Sequence, residues 1–259
     1  MATAIIGGLL AQGQPAHLIQ IVEPSETARA TLHQRLGIAA ETRASIRLAH
    51  AHLVIWAVKP QIFQEAAQAA ALHTSPKAVH LSVAAGITTD SMAHWLGSKR
   101  IVRAMPNTPA LIGQGITGLF ARLEVPTQDR ALVEQVIATT GQALWVTKEE
   151  QLDAVTALSG SGPAYVFLLL EAMMQAGGEM GLSEQQALRL AAATFQGAAQ
   201  LAVQSNESPN ILRERVTSKG GTTHAAISHM QDCQIPEHFI QSLHKAHARA
   251  REMAAEFGG

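Results

Sequence analysis

The densest group of potential ligand-binding chemistry lies late in the chain, in Val216 to Ser228, which reads Val-Thr-Ser-Lys-Gly-Gly-Thr-Thr-His-Ala-Ala-Ile-Ser. Ser218 and Lys219 precede the paired glycines Gly220 and Gly221. Thr222 and Thr223 follow, and the next residues read as a helix. Glycine lets the backbone take positive φ and come close to a ligand. The first amides of a helix lack internal partners and sit at the end that favours negative charge. Free amides beside hydroxyls can hold a small carboxylate without a full ion pair. The same residues also read as a plain Gly-rich turn in which Thr222 or Thr223 caps the helix.

A second stretch, Arg103-Ala104-Met105-Pro106-Asn107-Thr108-Pro109-Ala110, sets two prolines around an asparagine that offers both a donor and an acceptor. Twelve histidines invite a metal reading. His244 and His247 share a helix face, and His224 and His229 lie on one segment. No carboxylate or thiol completes either pair at ligand spacing, so no metal is expected. No Ser-His-Asp or Cys-His spacing argues for nucleophilic catalysis.

Leu212, Val216, the Thr-Ser-x-Gly-Gly-Thr-Thr core, Ala226 and Ile227 together resemble the signature of the pyrroline-5-carboxylate reductases. The resemblance implies reduction of a cyclic imino acid to proline with NADP or NAD, in reduced form, as hydride donor. It implies that Ser218, Gly220, Gly221, Thr222 and Thr223 bind the substrate, with the Thr223 hydroxyl as catalytic group at the ring nitrogen. Asn107 joins the substrate side. Met105 and Pro106 border the nicotinamide. Ala57, Val58, Lys59 and Pro60 border ribose and pyrophosphate, and Val83, Ala84 and Ala85 leave space for a flat ring. Without the resemblance, Lys59 reads as a surface lysine and Val83 to Gly86 as helix–sheet packing. No His or Glu is clearly placed as proton source; Glu207 is a weaker neighbour, and an imine protonated by solvent suffices. Glu23 suits a ribose 2′-hydroxyl and repels a 2′-phosphate, or is a turn residue. Ala44 stands where many relatives carry an asparagine. Leu158 to Tyr165 resembles the family's entry to a helix, with Ser161 or Gly162 as cap and Pro163 in the first helical position. The family forms intertwined homodimers, often assembled as decamers, with the carboxylate site of one subunit serving the cofactor of another.

Apolar runs at Ile19–Val22, Leu53–Val58, Val79–Val83, Ile101–Met105 and Ala143–Val146 read as strands. Helices are expected between them, at Glu26–Leu36, Ile62–Leu72, Asp90–Leu96 and Asp129–Thr140. This alternation predicts an α/β, Rossmann-like parallel sheet. After Thr147 the pattern is helical throughout. The expected organisation is therefore a dinucleotide-binding domain over 1–148 and an all-helical substrate-binding and dimerisation domain over 149–259. The helix following Pro163 is apolar on nearly every face and calls for cover by a second subunit.

A dinucleotide-binding fold opens with a strand and a Gly-rich turn. In the resembling family the pattern is strand, Gly-x-Gly-Asn-Met-Ala, then a helix ending in Gly-Gly-Leu. Met1 to Leu9 matches it from the methionine onward, so the first strand and its glycine loop are missing. The expectation is a chain shortened at its amino end that binds nucleotide poorly or not at all. Micromolar binding in an NADPH titration would overturn it.

Composition narrows the remaining classes. The net charge of −1 offers no basic field for nucleic acid. A single cysteine, Cys233, excludes an internal disulfide and suits a cytoplasmic location. The apolar run Ala164–Leu170 meets Glu171 well short of a membrane span, so no membrane association is expected. Two other readings remain: a 3-hydroxyacid dehydrogenase-like reductase, which would need a catalytic lysine that is absent between Lys148 and Lys219, and a non-catalytic helical dimer.

Overall fold

The computed structural model describes residues Met1–Phe257. Its contacts divide into two compact units. The first is Met1–Ser161 together with the segment from Ala246 onward, and the second is Gly162–Lys245.

In the first unit, helices α1 (Ala2–Ala11) and α2 (Glu26–Leu36) precede β1 (Leu53–Trp56). Then come α3 (Pro60–Ala71), β2 (Val79–Ser82), α4 (Thr89–Leu96), β3 (Ile101–Met105), β4 (Gly115–Ala121), α5 (Thr127–Ala138), β5 (Gly141–Trp145) and the short α6 (Gln151–Val155). The strands form one sheet in the order β1-β2-β3-β4-β5. All pairs are parallel except β3 with β4. Local chemistry explains the helix boundaries. The Ser25 hydroxyl accepts from the Ala28 amide and the Thr88 hydroxyl from the Ser91 amide, while Gly37 and Gly97 stop their helices in the left-handed conformation. Pro60 occupies the first turn of α3, where its missing N–H costs nothing.

The sheet is packed on both faces. Trp56, Phe63, Met92, Leu96 and Ile101 form one core. Val79, Leu81, Val102, Ala104, Leu119, Val133 and Ile137 form the other. All of β2 is buried, as a central parallel strand with cover on both faces must be.

His80 lies in this buried strand, 1% exposed, and its Nδ1 accepts the Trp56 indole N–H at 3.2 Å. Burial pushes its pKa down from 6.5 to about 4, so the ring is neutral in the fold. A depressed histidine pKa means that the unfolded chain binds the proton first. The stability is fully present above pH 6.5 and is lost as pH falls towards 4, by up to about 3 kcal/mol. We expect the urea midpoint to drop across that window, and His80→Gln to flatten the drop. An identical pH dependence in the variant would show that His80 is not its source.

Three expectations are corrected. Ile19–Val22 makes only an isolated bridge, Val22 to Glu41, because a strand exists only where a ladder partner lies alongside. β4 was not expected; glycines at 115 and 118 weaken its strand character, and its antiparallel place beside β3 makes the sheet mixed. Finally, no capped break precedes Pro163. α6 passes into a π-helical turn, Thr156–Gly160, and Ser161 keeps right-handed helical angles, so neither Ser161 nor Gly162 is an extended cap.

The second unit holds α7 (Gly162–Glu179), α8 (Glu184–Gln204), α9 (Pro209–Arg215), α10 (Thr222–Asp232) and the start of α11 (Ile235–Phe257). Ser183 and Gln186 form a reciprocal capping box at the start of α8. Tyr165 of α7 meets Phe239 of α11 edge to face, with ring centres 5.9 Å apart. Gly177, Ala187 and Ala191 are buried between α7 and α8, while Phe167 and Leu168 remain 58% and 65% exposed. Counted from Gln151 to Glu179, the helical run is long and apolar enough to cross a membrane by length and composition alone. That finding is broader than the short run read from the sequence.

Candidate functional site

The first unit gathers three strand ends. Trp56 pairs with Ser82, and Ser82 with Arg103, so the residues that follow β1 and β2 lie beside the end of β3. Ala57, Val58, Lys59 and Pro60 leave β1, with Lys59 exposed at the start of α3. Val83, Ala84 and Ala85 leave β2. The Val83 amide bonds the Trp56 carbonyl at 3.1 Å, and the Ala84 amide bonds the Ser82 hydroxyl at 3.2 Å. Met105 ends β3, and Pro106 and Asn107 turn away from it. This edge is where ligands collect in open α/β sheets. The Asn107 Oδ1 accepts the Ile116 amide at 3.0 Å, which ties the turn to β4 and leaves the side-chain NH2 as donor.

Around α1 a cleft of about 320 Å³ is lined by Ala2, Thr3, Glu23, Thr27, Ala28, Thr31 and Leu32. No side chain caps α1. Glu23 borders this cleft, yet its Oε1 already accepts the Ser25 amide at 2.8 Å, and Arg29 bonds the Glu23 and Pro24 carbonyls. Ala44 packs against the core rather than contributing a polar group.

The sequence reading missed a buried charge network. Arg103, 5% exposed, donates to Glu149 Oε1 at 3.2 Å and pairs with Asp153 Oδ1 at 3.6 Å. Glu149 also accepts the Thr89 amide at 2.7 Å and the Thr89 hydroxyl at 2.5 Å, at the first turn of α4. A charged residue in the middle of an apolar strand was the available signal.

In the second unit, Gly220 takes φ +76° and Gly221 is the N-cap of α10. The Gly221 amide closes a turn onto the Ser218 carbonyl at 3.0 Å. It is therefore engaged, and the amides of Thr222 and Thr223 are the ones that open the helix without a side-chain cap. A β-carbon on Gly221 would stand 2.6 Å from the Ser218 hydroxyl. Ser218 and Thr222 are exposed and Thr223 is half-buried. This arrangement can bind an anion through amides and present one sheltered hydroxyl next to it. Glu207 is paired with Arg215 at 2.5 Å, which occupies the nearest carboxylate considered as a proton source.

Comparison with known proteins adds a second kind of finding. Residues 149–253 match the family described as pyrroline-5-carboxylate reductase dimerisation, and residues 1–86 match that described as NADP oxidoreductase, coenzyme F420-dependent. A pyrroline-5-carboxylate reductase of Pseudomonas aeruginosa is 43% identical over 259 residues, covering 100% of this chain and 95% of that protein. The solved structure of a pyrroline-5-carboxylate reductase from Coxiella burnetii is 35% identical with a TM-score of 0.88, covering 98% of this chain and 94% of that one. A pyrroline carboxylate reductase of Plasmodium falciparum, solved with NADP bound, is 24% identical with a TM-score of 0.82 over 97% and 95% of the two chains, a likeness of fold.

Proposed function

The chain belongs to the pyrroline-5-carboxylate reductase family, and on that premise we infer that it reduces 1-pyrroline-5-carboxylate to L-proline with NADPH or NADH, held more weakly than micromolar as the expectation above requires. The observation that carries the reading is the opening of α10. A left-handed Gly220, a Gly221 whose β-carbon position lies 2.6 Å from the Ser218 hydroxyl and a helix without a side-chain cap leave amides free for a carboxylate.

We assign the cofactor to residues 1–148 and the substrate carboxylate to 149–259. The small residues Ala57, Ala84 and Ala85 and the uncapped α1 fit a flat ring and a charged diphosphate. Lys59, Pro60, Val58 and Val83 border them, and Met105 and Pro106 close the third strand end. A reduced nicotinamide, when bound, supplies the hydride that reaches the imine carbon. The chain itself binds and orients. The Thr222 and Thr223 amides and the Ser218 hydroxyl hold the carboxylate. The Thr223 hydroxyl accepts the N–H of the protonated imine, and hydride arriving at the carbon turns that iminium into the neutral amine. Asn107 offers its NH2 to the substrate. A protonated imine drawn from solvent meets the need for an electrophile, since Glu207 is held by Arg215.

The exposed apolar faces of α7 and α8 support pairing of two subunits, and we extend this to a decamer. The same cover accounts for the apolar run Gln151–Glu179 without a membrane. A lone, exposed thiol at Cys233 suits the cytoplasm. Sedimentation as a monomer at micromolar concentration would remove the pairing.

The test is NAD(P)H oxidation with pyrroline-5-carboxylate, followed by loss of nicotinamide absorbance, with proline as product. Gly221→Ala forces the Ser218 hydroxyl aside and should raise the KM for the imino acid by about tenfold with the cofactor KM unchanged. Equal movement of both constants would remove the carboxylate role from this turn.

A further inference from the structure

The last turns of α11 belong to the first unit, and they pack where the cofactor is assigned. Gly86 ends the turn Val83-Ala84-Ala85-Gly86 with φ +76°. A β-carbon there would stand 3.0 Å from the Met253 carbonyl oxygen and 3.3 Å from the Phe257 ring. Phe257 packs against the core that contains Ala84 and Ile87, and Ala250 is 7% exposed. On its sheet side the turn is held by the Val83 and Ala84 amides. α11 supplies contact at Gly86. Arg249 makes a forked pair with Glu256, at 2.7 and 3.1 Å, and also bonds Glu252, which holds these last turns helical.

We propose that Met253 and Phe257 are positioning residues for the cofactor-binding turn after β2. Neither residue is offered as a ligand. Their backbone and ring form a wall, and Gly86 is the residue small enough to sit against it. A turn held on both sides keeps Val83, Ala84 and Ala85 in one conformation before the flat ring arrives, so less ordering remains to be done on binding. Without the ring the turn gains alternatives, and cofactor affinity falls while the carboxylate site is untouched. The inference rests on the assignment of Val83–Ala85 to the cofactor.

The test is Phe257→Ala in the whole chain, with Phe257→Leu as the conservative replacement. Amide hydrogen exchange without nucleotide should quicken by about tenfold across residues 83–88 and stay unchanged in β4 and β5. The Kd for NADPH, titrated to millimolar concentration by fluorescence, should rise by about fivefold in Phe257→Ala. Phe257→Leu should recover most of it. In turnover, the cofactor KM should rise to match, with kcat and the imino-acid KM within about twofold. Unchanged exchange at 83–88 overturns the proposal, as does faster exchange with an unchanged NADPH Kd. Parallel rises in both KM values also overturn it, because they mark a general loss of structure. Failure of the unaltered chain to bind NADPH overturns it together with the cofactor role of the turn. Binding without turnover overturns only the choice of imino acid.

Discussion

Thr223→Ala is expected to lower kcat by about a hundredfold while leaving the Kd for NAD(P)H within about twofold. Thr223 is the residue at the opening of α10 that combines a free helical amide with a half-buried hydroxyl. Its neighbour Thr222 is exposed, and in the proposed mechanism only its amide is used. Alanine keeps the Thr223 amide, so the carboxylate is still held and the imino-acid KM changes less than kcat. The expected loss is the proposed hydrogen bond to a ring nitrogen whose charge changes as hydride arrives. A hundredfold corresponds to about 2.7 kcal/mol of transition-state stabilisation, the scale of one well-aimed donor or acceptor. Thr223→Ser restores the hydroxyl and should return most of the rate. Unchanged turnover in Thr223→Ala would remove the side chain from the mechanism.

The second large effect is on stability. Arg103→Met should lower the unfolding free energy by about 3–5 kcal/mol, measured by urea denaturation at neutral pH. The arginine and both carboxylates are sheltered, with side chains 6% exposed for Arg103, 21% for Glu149 and 10% for Asp153. Removing the cation leaves two anions facing each other. Glu149 keeps the Thr89 amide and hydroxyl. Asp153 Oδ1 fares worse: at 3.6 Å its contact with Arg103 is one of charge rather than a hydrogen bond, and that buried oxygen has no hydrogen-bond partner. Adding Glu149→Gln and Asp153→Asn to Arg103→Met removes the stranded charges and should recover much of the loss. A loss below about 1 kcal/mol for Arg103→Met would mean that water already screens the network.

The local architecture was largely legible. Alternating apolar runs and helical stretches foretold β1, β2, β3 and β5 and the helices between them. Ser25, Thr88, Gly37 and Gly97 set helix ends by chemistry that acts over three or four residues, although only Gly37 was singled out beforehand. The Gly220-Gly221 turn was legible for the same reason, because positive φ at Gly220 and a helix start at Thr222 are consequences of adjacent residues. The engagement of the Gly221 amide by Ser218 was not, since the type of turn decides which amide remains free.

Harder to foresee were features set by distant partners. Ile19–Val22 has the composition of a strand but meets only Glu41 across a single bridge. Gly115–Ala121 has weak strand character, yet it pairs along both edges, with β3 and with β5. Ser161 looks like a cap in its own neighbourhood, but the π-helical turn before it keeps the backbone helical.

From the sequence alone come the α/β-then-helical order, the positions of most helices in the first unit and the glycine turn before α10, because each follows from backbone preferences acting within a few residues. Only the tertiary structure decided that β4 runs against β3, that Arg103 finds Glu149 across 46 residues, and that Gly86 rests on Met253 and Phe257. Those contacts join segments far apart in the chain. Their free energy comes from burial and charge pairing after the chain has closed on itself, so residues nearby in sequence do not specify the partner.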